Sequence, residues 1–157
     1  MKKWVWIGFL LFLSGCASQP ARKDNDQVLS DVAAVVGNNG VAHSEDEDLQ
    51  LKLQLLATRI NSHGQLADRL MIVAGGGRER FNVREMFIRV SDSESGRFLI
   101  FGANPALDKA IVGGALSDQQ FPRVWVFFVG EPAQEQEMQA IVEAAGSKYS
   151  FISKYQE

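Results

Sequence analysis

The stretch from Val124 to Ile152 limits the fold more than any other part of the chain. Val124-Trp125-Val126-Phe127-Phe128-Val129 is a continuous apolar run. It is too short for a typical helix and lacks the alternation of a half-exposed strand, so it predicts a central strand covered on both faces. Pro132 then stands where the first turn of a helix tolerates it. Met138, Ile141, Val142 and Ala145 share one helical face before Gly146 stops the segment, and Tyr149-Ser150-Phe151-Ile152 has the character of a closing strand. Strand, helix and strand in that order make a β-α-β unit, whose strands run parallel through a right-handed crossover.

Upstream, Leu70–Val73, Phe81–Val90 and Arg97–Phe101 are rich in strand-forming side chains and predict three strands. Ser91 to Gly96 is a turn-rich connector of hairpin length, which makes the last two of these an antiparallel pair. Asn104-Pro105 opens a short helix that Gly113-Gly114 would end. The fold class expected is α+β: a mixed sheet of about four or five strands covered by two or three helices, with the β-α-β unit at its C-terminal end.

Residues 44–64 carry two competing signals. Ser44-Glu45-Asp46-Glu47 has the pattern of a capping box, and Leu49, Leu53, Leu56 and Ile60 then fall in one helical stripe that Gly64 would close. Yet Leu49-Gln50-Leu51-Lys52-Leu53-Gln54-Leu55 also alternates as a half-buried strand does. Leu, Gln and Lys favour helix and none is β-branched, so helix is the preferred reading and strand the open alternative.

The N-terminus is a targeting segment. Met1-Lys2-Lys3 is cationic, and Trp4 to Leu13 is an apolar block interrupted only by Gly8. Ten helical residues reach roughly 15 Å, about half of a bilayer's hydrocarbon core, so the block suits a removable leader better than a permanent span. It ends in Leu13-Ser14-Gly15-Cys16, with Cys16 the single cysteine of the chain. These four residues resemble the lipobox of bacterial lipoprotein precursors. The resemblance implies a diacylglyceryl thioether on Cys16, cleavage before it and acylation of the new amine. Ala17 rather than an aspartate after the cysteine resembles lipoproteins passed on to the outer membrane, so the protein is expected there, lipid-anchored and facing the periplasm.

The layout expected is a signal peptide over 1–15, a lipid-anchored tether over 16–44 and a single periplasmic domain over 45–157. Ala17 to Asp26 is small and polar, as a spacer should be. Within the tether Val28, Leu29, Val32, Val35 and Val36 keep helical spacing and Gly37 ends it, predicting a short amphipathic helix packed on its own domain. Its polar face offers Asp26 and Asp31, whereas a membrane-surface helix is normally basic there.

Sixteen Lys and Arg against nineteen Asp and Glu, a formal charge of -3, make no electrostatic claim on nucleic acid. Chemical motifs are sparse. Ala74-Gly75-Gly76-Gly77-Arg78 completes neither nucleotide fingerprint and reads as a turn between strands. His43 and His63 have no companion ligand at a metal-binding spacing, and no nucleophile motif is present, so no catalytic residue, cofactor or metal is expected. Arg78, Arg80 and Arg84 lie in an arginine-rich stretch and are the candidate contacts for a ligand or partner. The function expected is a non-catalytic accessory, docking or assembly factor for an envelope protein complex. Two alternatives stand beside it: a binding module for an anionic envelope ligand through those arginines, and a small envelope-polymer hydrolase using acids such as Asp92 and Glu94.

Overall fold

The computed structural model describes residues 20–37 and 53–156. The leader, Cys16, the capping-box residues Ser44 to Glu47, and Leu49 and Leu51 lie outside them. Four strands, β1 (Leu56–Arg59), β2 (Arg97–Phe101), β3 (Trp125–Gly130) and β4 (Lys148–Ser153), form one sheet in the order β1-β2-β3-β4. All three pairings are parallel, with Leu99 opposite Phe127 and Phe127 opposite Ser150. Five α-helices accompany them among the described residues: α1 (Asn25–Val36), α2 (Gln65–Val73), α3 (Glu79–Asp92), α4 (Pro105–Leu116) and α5 (Glu135–Ala144), the last entered through a 3-10 turn at Pro132–Gln134.

Strand order explains the layers. When each right-handed crossover adds its strand on the same side, every crossover helix falls on one face of the sheet. The core shows this arrangement: Val83, Phe87 and Val90 of α3, Leu107, Ile111 and Ala115 of α4, and Met138 and Val142 of α5 all pack with Phe98, Ile100, Val126 and Phe128. Side chains alternate along a strand, so Leu99, Phe127, Val129 and Ile152 face the other way. There Val28, Val32 and Ala33 of α1 cover them together with Leu53 and Leu55. Helix α1 is therefore the third layer of the domain. With both faces covered, β2 and β3 are apolar on successive residues.

The strand count of four, the strands at Arg97–Phe101, Trp125–Gly130 and Lys148–Ser153, the parallel β-α-β unit from β3 to β4, and the helices at Asn25 and Pro105 agree with expectation. The mixed sheet does not: it is wholly parallel, and the helices exceed two or three. Leu70–Val73 and Phe81–Val90 are helical, in α2 and α3, so the antiparallel hairpin into β2 does not form. Val83, Phe87 and Val90 recur at helical spacing and are the buried residues of α3; that period outweighs the β-propensity of individual residues. The helix preferred over 44–64 is also corrected where it is described, since Leu56–Arg59 is strand β1. Leu53 and Leu55 are buried and Ala57 packs beside them in the same cluster, continuing the alternation toward α1. Helix α4 runs through Gly113-Gly114 instead of ending before them.

Candidate functional site

Parallel α/β sheets usually collect ligands beyond the C-terminal ends of their strands, in the crevice where strand order reverses. Among the described strands the order never reverses. At those ends its polar groups are turned on one another. Asn104 caps α4 by accepting from the Leu107 amide at 3.0 Å, and one turn later the carboxylate of Asp108 is fully buried. Asp108 Oδ1 accepts from the Ala103 amide at 2.8 Å and Oδ2 from Gln134 Nε2 at 3.0 Å. Burial pushes its pKa up, and these hydrogen bonds oppose the rise. A Cβ on Gly102 would stand 2.4 Å from Asp108 Oδ2, so no side chain fits there. Asp68 of α2 is closed off in the same way, accepting from Ser62 Oγ at 2.6 Å, the His63 amide at 2.9 Å and Asn104 Nδ2 at 3.3 Å. The Ser62 hydroxyl, then the His63 amide, hold it below the usual carboxylate range. Lys154 pairs with Glu131 at 2.7 Å. These groups clamp loops together.

An open concavity lies on the helix layer instead. A groove of about 650 Å³ runs along α4, floored by small residues such as Ala110, Gly113 and Gly114 and walled by Arg80, Phe81 and Arg84 of α3. The triple glycine sets its shape. Gly75, Gly76 and Gly77 all have positive φ, and a Cβ on Gly76 would meet the Ala110 carbonyl at 2.7 Å. A Cβ on Gly114 would sit 2.4 Å from the Gly75 carbonyl. Glycine on both sides lets the α2–α3 corner press onto α4. The amides of Gly75, Gly76 and Gly77 donate to the carbonyls of Ile72, Met71 and Ala74, so they are not aimed at an anion. The corner joins two helices, not two strands.

Arg84 and Arg80 behave differently. Arg84 donates from Nε to the Ala115 carbonyl at 2.8 Å and from Nη2 to the Gly114 carbonyl at 2.9 Å, capping the C-terminal end of α4. Arg80 stacks over Phe81, 4.7 Å from the ring centroid, and reaches the Gly75 carbonyl only at 3.4 Å. Its Nε is buried and has no partner among the described residues. Phe81 itself is 52% exposed. Arg78 immediately precedes α3, is exposed and does not line the groove. Of the three arginines singled out in the sequence, the fold thus brings two to the groove and commits one of those to a helix end. Lys109, also on the groove, pairs with Glu137 of α5. Phe81 escaped sequence reasoning because a strand assignment for Phe81–Val90 gives no reason to turn that ring outward.

A scan against protein-family models, a search of curated proteins and a search of solved structures each found no match to this chain.

Proposed function

We propose that this chain is a lipid-anchored cell-envelope protein, held through Cys16 in the outer membrane and facing the periplasm. Its role is that of a non-catalytic accessory, docking or assembly factor for an envelope protein complex. The observation that carries the docking role is the groove on α4, with Arg80 stacked on a half-exposed Phe81 at its wall. Aromatic side chains and arginine are enriched in protein-binding interfaces, and here they wall a concave floor. The polar clamps at the strand ends support the non-catalytic part, because Asp68 and Asp108 are spent on backbone and amide donors. A photo-crosslinking residue at Phe81, expressed in intact cells, tests the reading. One defined envelope protein should be captured, and capture should fall when Arg80→Ala is added or when Cys16→Ala removes the anchor. A chain that captures nothing at Phe81 while folded and anchored contradicts it.

One observation favours the anionic-ligand reading: the Arg80 Nε–H, buried beside the groove and without a partner among the described residues. Under that reading binding of a polyanion weakens steeply with salt and is lost in Arg80→Ala. Arg84→Ala would then act mainly through stability, since its guanidinium already serves α4.

A further inference from the structure

We propose that the outward stripe of α2 is a membrane-contact surface that lies among the headgroups of an anionic bilayer. The proposal goes beyond the groove and rests on the reading of Cys16 as the lipid anchor.

Helix α2 is apolar on two sides, unlike an ordinary surface helix: Met71 and Ile72 pack against the core, and its outward side is apolar as well. Leu66, Leu70 and Val73 recur at i, i+4 and i+7 and are 74%, 65% and 87% exposed. Arg69 is exposed in the same stripe, whereas Asp68, the one acid of the helix, is buried on the inner side and satisfied by Ser62, His63 and Asn104. The exposed stripe therefore holds three apolar side chains and a guanidinium with no carboxylate. That chemistry complements hydrocarbon beneath a layer of negative headgroups.

The place of α2 in the fold agrees. Asn104 ties Asp68 to the start of α4, at the end of the sheet where β2 finishes. The described chain enters at this same end of the sheet: Lys23 donates its amide to the Lys154 carbonyl just after β4, and Arg22 bridges to Tyr155. From Cys16 to Arg22 six residues reach at most roughly 20 Å. An acylated Cys16 would thus keep this end of the sheet beside the bilayer, with α2 within reach of it.

The test uses the full lipoprotein isolated from cells and reconstituted into vesicles of phosphatidylethanolamine with phosphatidylglycerol, or of phosphatidylcholine alone. Leu70→Cys and Val73→Cys are labelled with bimane; Val35→Cys on α1 and Ile88→Cys on α3, both exposed, serve as controls. In the phosphatidylglycerol vesicles, bimane at positions 70 and 73 should shift to the blue and be quenched about twofold or more by nitroxide-labelled lipids, while positions 35 and 88 stay solvent-like. Adding Arg69→Glu should abolish the quenching. Solvent-like emission at 70 and 73 overturns the proposal. So does a blue shift without lipid quenching, which would mean that a second copy or another protein covers the stripe. The parent chain checks the anchor separately, because a thioether at Cys16 leaves no thiol for bimane. If the parent labels, the anchor reading has failed; quenching confined to 70 and 73 then still supports the surface, and its absence overturns it.

Discussion

Arg84 and Arg80 stand one helical turn apart on α3 and do opposite things. Arg84 makes two short charge-assisted hydrogen bonds to carbonyls at the end of α4. Removing it should cost about 2 kcal/mol, with Arg84→Lys recovering only part because one ammonium does not reproduce the planar fork. Arg80 makes one long hydrogen bond and leaves its Nε without a partner among the described residues. Arg80→Ala should therefore cost less than half as much in urea unfolding while lowering capture at the groove. Equal losses for the two would contradict the division of labour. A similar contrast separates two glycines. Gly76→Ala drives a methyl into the Ala110 carbonyl from a left-handed backbone and should cost about 3 kcal/mol or more. Gly37→Ala, with nothing within 4 Å, should cost only the left-handed penalty of about 1 kcal/mol.

At the scale of elements, the clamps at the strand ends give the domain two opposed pH responses. Asp68 is held below its ordinary pKa of 3.8, so its stabilisation is present above that value and lost as pH falls through the lower folded value. Asp108 is raised from 3.8, so its contribution is complete below that value and lost as pH rises through the higher folded value. On acidification the stability gap between parent and Asp68→Asn should shrink, and the gap between parent and Asp108→Asn should grow. Urea unfolding at neutral pH and below pH 3.8 reads both, and gaps that move together would contradict the assignment. The elements also differ in how plainly the sequence announces them. Strand β3 is legible because both of its faces are buried, and α4 because Asn104 and Pro105 mark its start. Helix α2 is not, because the apolar residues that suggested a strand at Leu70–Val73 include two that face solvent. For β1 the alternation of Leu53 and Leu55 is a better guide than helix propensity, since pairing with β2 fixes a strand whatever its residues prefer locally. Arg80 and Arg84 were visible as candidates. Their unequal roles were not, because these depend on which carbonyls α4 presents across the helix layer.

For the molecule as a whole, a sheet that adds strands in one direction puts four of the five described helices on one face, while α1, with Leu53 and Leu55, packs on the other. The order of the described strands provides no reversal at which a strand-end crevice would open, and an open concavity lies on α4 instead, which supports the proposed docking role. The same end of the sheet receives the chain at Arg22 and Lys23 and bears the start of α2, so the proposed tether and the proposed contact stripe would address one bilayer. Both proposed roles depend on fatty chains at Cys16. The most direct measurement is intact mass spectrometry of the protein isolated from cell envelopes. The account predicts a chain that begins at Cys16 and carries a diacylglyceryl group with an acylated amine. A chain beginning at Met1, or one with an unmodified Cys16 thiol, would contradict it.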